Sequence, residues 1–194
     1  MSLRIVSGQD YRTIVSLAES EGAGLIVLGT HRNEASNFFV IGTTMERVVR
    51  EGSLPVLVVK GRVKGAYANV VVGVDFSIFS RAALGAGRRF AGAGKLRLVH
   101  ACSVPFPGFL SGTRSADEVR DARRRDLADL IEREARVVEG EVHSVLRRQV
   151  CDMSADLLVI GTHSQAGTGL RWLGSVAETF LVRPPCDVLV VKAW

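Results

Sequence analysis

Short, unbroken apolar runs alternate along this chain with longer stretches in which apolar positions recur every three or four residues. The unbroken runs lie in Leu25–Gly29, Val56–Lys60, Asn69–Val74, Leu157–Gly161 and Val188–Val191, and Leu96–Ala101, interrupted by Arg97 and His100, is the remaining strand candidate. Each is too short for a helix and suits a strand buried on both faces, as in a parallel sheet. Between them, Ile14, Leu17 and Ala18 share one side of a predicted helix from Asp10 to Glu21, which Gly22 and Gly24 end. Ala82, Ala83, Leu84 and Phe90 mark a second helix, capped by Ser77 or Ser80 and broken at Gly92-Ala93-Gly94. Further helices are predicted from Asp117, with Val119, Leu127, Leu130 and Ile131 in register, along Val142, Val145, Leu146 and Val150, and over Ser175–Val182. Two weaker runs, Leu3–Ser7 and Ala135–Glu139, also read as strands. No glycine or proline separates Ile131 from Val137, so a helix there is free to absorb the second of them. Strand and helix alternate throughout, which predicts an α/β fold around a mainly parallel sheet.

The pattern also repeats. A constant offset of 132 positions carries Gly29 onto Gly161 and, without a gap, Leu25–His31 onto Leu157–His163, Gly42-Thr43 onto Gly174-Ser175, Glu46 onto Glu178 and Val56–Lys60 onto Val188–Lys192. The shared block runs from about Arg4 to Lys60 and from Arg136 to Lys192. The second copy is preceded by a further strand, helix and strand and by a long loop over Cys102–Ser115, rich in proline and glycine, of the kind that covers a site. The expected organisation is a partial repeat over residues 1–60, a linker over 61–69 and a complete domain over 70–194. In the first copy Thr43 is the candidate cap, paired with Glu46.

Composition changes this picture little. With 194 residues, 47% hydrophobic and 23% charged, the chain can bury a sizeable core. No apolar run is long enough to cross a bilayer and the first residues lack a signal-peptide core, so a cytoplasmic location and no membrane partner are expected. Cys102, Cys151 and Cys186 have neither the count nor the spacing of a disulfide framework or a zinc site. The net charge is +5, but its densest cluster, Arg120–Asp126, interleaves acids with arginines at helical spacing. It reads as a solvated helix face rather than a nucleic-acid surface.

The candidate chemistry lies where apolar runs end. Gly161 closes a predicted strand, a polar loop with Gly167 and Gly169 follows, and Gly174-Ser175 precedes a helix. A strand-end glycine and the free amides of a helix start suit a phosphate. This is neither a Walker A loop nor the G-x-G-x-x-G fingerprint. Ser175-x-x-Glu178 also fits a capping box, which would leave other amides of that turn free. Asp75, Ala101 and Gly161 all fall at strand carboxyl ends, where ligands of open α/β sheets bind. The plainer reading of Asp75 is a turn residue, and of His31 and His163 loop residues bonded to backbone. No Ser/His/Asp set, acidic metal pair or Walker lysine is present, so no catalytic residue is assigned.

Taken together, Val72-Gly73-Val74-Asp75-x-Ser77, Leu98-Val99-His100-Ala101, the Gly161-Thr162-His163 loop, Gly174-Ser175-Val176 and the Val188–Lys192 tail resemble the universal stress protein family. The resemblance covers Asn69–Lys192 as a whole domain and Leu3–Lys60 as the back portion of another. It implies a five-stranded parallel sheet of order 3-2-1-4-5, dimerisation through the last strand and, in one branch, ATP, with Mg as its companion, held by a G-x2-G-x9-G-[S/T] loop. Carried over by position, Val74 and Asp75 meet the nucleoside, Ala101 lines the adenine pocket and Ile160 flanks it. Gly161, Gly174, Ser175 and Val176 hold the phosphates. The motif's second glycine is Ser164 in the complete domain, which still offers an amide and a hydroxyl, and Arg32 in the partial one, which neutralises phosphate or blocks the cradle. The first copy lacks a counterpart of Asp75, so no complete nucleotide site is expected there. Its strands Leu25–Gly29 and Val56–Lys60 are expected to lean edge to edge on Val188–Val191, as an intrachain pseudo-dimer or a site of self-association, because an uncovered apolar edge invites pairing. A chain that opens at a strand the repeat places mid-domain also raises the expectation of a truncated tandem, with a native product longer than 20.9 kDa. The functional expectation is a stress-response regulator that binds ATP or a related adenine nucleotide; the alternative is a nucleotide-free interaction module working through its edge.

Overall fold

Apolar runs without polar breaks suit strands covered on both faces, and all five, together with Leu96–Ala101, become strands of one sheet. The computed structural model describes residues 3–30, 44–62, 65–75, 77–102, 135–162 and 173–192. In chain order these form α1 (Asp10–Ser20), β1 (Ile26–Gly29), α2 (Thr44–Glu51), β2 (Val56–Val59), β3 (Asn69–Gly73), α3 (Ile78–Ala91) and β4 (Lys95–Cys102). There follow β5 (Arg136–Glu139), α4 (Val142–Met153), β6 (Leu157–Gly161), α5 (Ser175–Val182) and β7 (Asp187–Val191). The candidate cap Thr43, the loop from Ser103 onward, the helix expected from Asp117, the Arg120–Asp126 cluster, and Arg32, His31, His163 and Ser164 lie outside the described residues.

The sheet has seven strands in the order β1-β2-β7-β6-β3-β4-β5. Every pairing among the described residues is parallel except β2 with β7. Within it, β3 to β7 make the expected 3-2-1-4-5 arrangement: β3 lies between β4 and β6, β5 at one edge and β7 at the other. Asp156 fastens the start of this unit, its carboxylate accepting from the amides of Ala68 at 2.8 Å and Asn69 at 3.0 Å. Strand β5 forms where the sequence left a helix free to run on, because β4 offers it a parallel ladder from Val99↔Arg136 to Cys102↔Glu139.

The two repeats meet at the antiparallel seam, in the register Val56↔Val190, Leu57↔Leu189 and Val58↔Val188. Leu57 and Leu189 are counterparts under the 132-residue offset, so a pseudo-two-fold axis passes between them. The lysines that end the two strands exploit this symmetry reciprocally. Lys60 Nζ donates to Pro185 O at 3.0 Å, and Lys192 Nζ donates to Arg50 O at 3.3 Å and to Gly52 O at the end of α2. Partial burial lowers the pKa of Lys192. Asp187 adds an asymmetric tie, accepting from the Lys60 amide and the Tyr67 hydroxyl, both at 2.8 Å.

Alternating side chains divide the core into two layers. On one face Val71, Leu158, Ile160, Val188 and Val58 pack under α1, α2, α4 and α5; on the other Val70, Val72, Leu157, Val159 and Leu189 pack under α3. The repeat exposes what this second layer is worth. Val159, beneath α3, is 0% exposed, whereas its counterpart Val27, with no such helix over it, is 56% exposed.

One expected strand is absent. Leu3–Ser7 is not a strand, and Leu3, Ile5 and Val6 are exposed. Its counterpart Arg136–Glu139 pairs with β4, and among the described residues no strand stands in the corresponding place beside Leu3–Ser7. The local pattern is strand-like, but a strand needs a neighbour to bond.

Deleting two methyls at the seam should therefore cost far more than deleting them at the bare edge. Val58→Ala, at 0% exposure, is expected to lower unfolding free energy by about 1–3 kcal/mol, and Val27→Ala by no more than about 0.5 kcal/mol. Urea titrations of both variants with the parent measure the difference.

Candidate functional site

Strands β3, β4 and β6 end together, and α5 starts above them, leaving a cleft of about 320 Å³. Val74 and Asp75 leave the end of β3; Val99 and Ala101 come from β4; Ile160, Gly161 and Thr162 come from β6. Gly174, Ser175 and Val176 close it from the start of α5, and Val142 and Leu146 from α4. The structure thus brings together Val74, Asp75, Ala101, Ile160, Gly161, Gly174, Ser175 and Val176, the residues carried over to the nucleotide site, while Ser164, like Gly167 and Gly169, lies outside the described residues.

The loop that follows β6 is pinched at its base. Thr162, 1% exposed, donates its amide to Val191 O at 3.0 Å and accepts from the Gly174 amide at 2.8 Å. The chain between these two residues therefore leaves and returns at one point beside the cleft. Helix α5 begins one residue earlier in its cap than expected: Gly174 is the N-cap, with φ −63° and ψ 145°, and Ser175 is the first helical residue. The capping box expected from Ser175 and Glu178 does not form. Glu178 donates its amide to Gly174 O at 3.0 Å as ordinary helix bonding. Glycine has no side chain to cap with, and no hydrogen bond among the described residues takes up the amides of Ser175, Val176 and Ala177. Those amides and the positive end of the helix dipole point at the cleft, an arrangement that suits an anion.

Helix α4 fixes where that mouth lies. Glu141 caps α4, accepting from the amides of His143 at 2.9 Å and Ser144 at 2.8 Å, and these bonds hold its carboxyl down at about pKa 2. The Glu141 carboxylate also pairs with His143 Nδ1, while His143 Nε2 lies 3.3 Å from Ser175 O. Four residues on, Arg147 stacks over Phe180 and donates to Arg183 O at 3.1 Å. Both ends of α5 are thus tied to α4.

The reason for a glycine at 161 is packing. A Cβ there would lie 2.7 Å from Phe79 Cβ and 3.3 Å from its carbonyl carbon, in the first turn of α3. At Gly29, over which no helix lies among the described residues, none of them comes within 4 Å. The close approach brings α3, and with it Ser80, to the rim of the cleft.

Two lining residues escaped the sequence reading. His100 is buried at 8% exposure and bonds Val74 O through Nδ1 at 2.9 Å; a carbonyl only accepts, so Nδ1 carries the proton. Ser80, weighed only as a cap, instead binds Asp75; the N-cap of α3 is Ser77, whose Oγ accepts from the Ser80 amide at 3.3 Å. The signal for His100 was its place in Leu-Val-His-Ala. Ser80 had no comparable signal, because its partner sits five residues back across a strand end.

Comparison with known proteins places this geometry. The family model for the universal stress protein family matches residues 2–60 and 66–192. A universal stress protein of Methanocaldococcus jannaschii is 38% identical over 56 residues, 29% of this chain and 35% of that protein, so the match spans about a third of that relative's length. The crystal structure of a functionally unknown protein from Pseudomonas aeruginosa PAO1 is similar in fold, with TM-score 0.75 and 20% identity over 96% of this chain and 69% of that one. The crystal structure of a universal stress protein in complex with cAMP is 28% identical, with TM-score 0.52, over 67% of this chain and 100% of its own.

Two measurements check this construction of the site. Gly161→Ala should destabilise the protein by about 1–3 kcal/mol through overpacking, while Gly29→Ala changes stability by no more than about 0.5 kcal/mol; equal effects would contradict the Phe79 contact. Glu141 has a folded-state pKa below its ordinary 4.5, so its stabilising contribution is present above that value and is lost as pH falls through about 2. Glu141→Ala should accordingly lower Tm at pH 7 and lower it much less at pH 2, where the carboxyl is already half protonated.

Proposed function

The chain belongs to the universal stress protein family, and from that premise we propose that its cleft binds ATP or a related adenine nucleotide, making it a nucleotide-dependent regulator of the stress response rather than an enzyme. The observation that carries the reading is the uncapped start of α5, where the amides of Ser175 to Ala177 stand open beside Gly161. A cleft of about 320 Å³ is of the size that takes small ligands. Its apolar wall, Val99, Ala101 and Ile160, suits an adenine ring, and Val74 and Asp75 stand where the nucleoside would meet them. Gly161, Gly174, Ser175 and Val176 would hold phosphates, and we propose Ser164 as a further contact from its place in the motif. Asp75 is the only carboxylate among the described lining residues, so Mg would accompany ATP mainly through phosphate oxygens and water. The cAMP bound by a relative supports the adenine-nucleotide class.

No helix among the described residues is long and apolar enough to cross a membrane. A cytoplasmic setting is part of the proposal. We assign residues 1–60 to a partial repeat and 70–194 to the complete nucleotide-binding domain. The seam between β2 and β7 stands in for a dimer contact. A second reading, an interaction module without nucleotide, has one observation in its favour: the exposed outer edge at β1 with Val27 uncovered.

Proline at the first helical position separates the two. Gly174 has ψ 145°, as a residue before proline requires, and the first turn of a helix tolerates proline. Ser175→Pro deletes one amide and one hydroxyl from the mouth. It is expected to weaken ATP binding by about tenfold, the worth of one hydrogen bond to a charged group, with Tm unchanged. Titration calorimetry and mass spectrometry of the denatured parent read the outcome. No bound nucleotide and no saturable ATP binding by the parent would leave only the interaction module.

A further inference from the structure

Three strands reach the cleft in the order β4, β3, β6, and each brings a different chemistry. Apolar Val99 and Ala101 come from β4, and Gly161 on β6 leads to the open amides of α5. Between them the chain leaving β3 carries Asp75. A nucleotide has the same sequence of parts, base, sugar and phosphate, so the carboxylate stands at the sugar.

The two carboxylate oxygens of Asp75 are not equivalent. Oδ1 accepts from the Ser77 amide at 2.8 Å and from the Ser80 hydroxyl at 2.5 Å, and Ser80 Oγ in turn accepts from the Asp75 amide at 2.6 Å. The serine hydroxyl has one proton and gives it to Oδ1, so the ring of bonds has a single direction. Ser80 is 5% exposed, which keeps water from competing for these bonds. Among the described residues no donor reaches Oδ2. An ionised carboxylate only accepts, so Oδ2 calls for an O–H or N–H from the ligand.

The geometry points to Ser80 as a positioning residue: by locking Oδ1 it turns Oδ2 of Asp75 to the ribose, so that the cleft selects nucleotides carrying a ribose hydroxyl over their dideoxy analogues. This inference rests on the nucleotide reading of the cleft and adds its sugar specificity. Ser77 alone leaves Oδ1 with one bond and the carboxylate free to rotate; Ser80 supplies the second bond and ties the group to its own backbone.

Calorimetric titration with ATP, 2′,3′-dideoxy-ATP and inorganic tripolyphosphate tests it on the parent, Ser80→Ala and Ser80→Thr. The parent should bind ATP about tenfold more tightly than the dideoxy analogue. Ser80→Ala should lose that preference while binding the dideoxy analogue and tripolyphosphate as the parent does, and Ser80→Thr, which keeps the hydroxyl, should restore it. Equal affinity of the parent for ATP and its dideoxy analogue overturns the inference and leaves nucleotide binding standing; this comparison needs no variant to fold. Ser80→Ala weakening all three ligands equally also overturns it, as a merely structural role would. A parent that binds none of them removes the nucleotide reading and this inference together.

Discussion

The parallel pairing of β3 with β6, Val70↔Leu157 to Val72↔Val159, is the constraint from which everything else follows. From β3 the chain winds outward through β4 and β5, and from β6 outward in the opposite direction through β7. Where the direction reverses, the connections part and a crevice opens at the strand carboxyl ends. Residues far apart in sequence are thereby set side by side: Asp75 leaving β3, Gly161 and Thr162 leaving β6, and the start of α5 held above them by the Thr162–Gly174 bond. The packing that makes the pairing possible is close. Gly161 lies under Phe79, and Gly87 lets α3 settle onto Val72, where a Cβ would come within 2.5 Å of a valine methyl.

The same arrangement leaves β7 at the margin of the complete unit, and the partial repeat covers it. The antiparallel register centred on Leu57 and Leu189 lets one sequence block present itself twice, each copy's terminal lysine reaching carbonyls at the end of the other's helix. The symmetry stops at the face that α3 covers. There Val159 is sealed and Val27 is not, so the partial repeat contributes a seam and a helical layer but, among the described residues, no cleft of the kind β3 and α3 build. Cleft and seam are in this way divided, among the described residues, between two copies of nearly the same pattern.

Much of this was legible in the residues themselves. The offset from Gly29 to Gly161 located both repeats, and unbroken valine and leucine runs marked most of the buried strands because a strand covered on both faces favours apolar side chains. The cleft residues were legible because glycine, aspartate and serine at strand ends are spaced by the fold. What misled was local pattern where the deciding partner is remote. Leu3–Ser7 has the composition of a strand but no neighbour, and Ser175-x-x-Glu178 has the spacing of a capping box but the chain enters the helix at Gly174. The bond from His100 to Val74 O was illegible because only the pairing of β3 with β4 brings the two together, and the bond from Ser80 to Asp75 because no spacing rule reaches five residues back across a strand end.

Nucleotide recognition in this cleft requires the open amides of α5 to be the seat of the phosphates. Amide-resolved nitrogen-15 NMR during addition of ATP observes those groups themselves. The expected result is a saturable movement of the Ser175, Val176 and Ala177 signals together with Gly161, all with one apparent Kd. Signals at these amides that stay fixed while ATP binds elsewhere, or while nothing saturates, would contradict it.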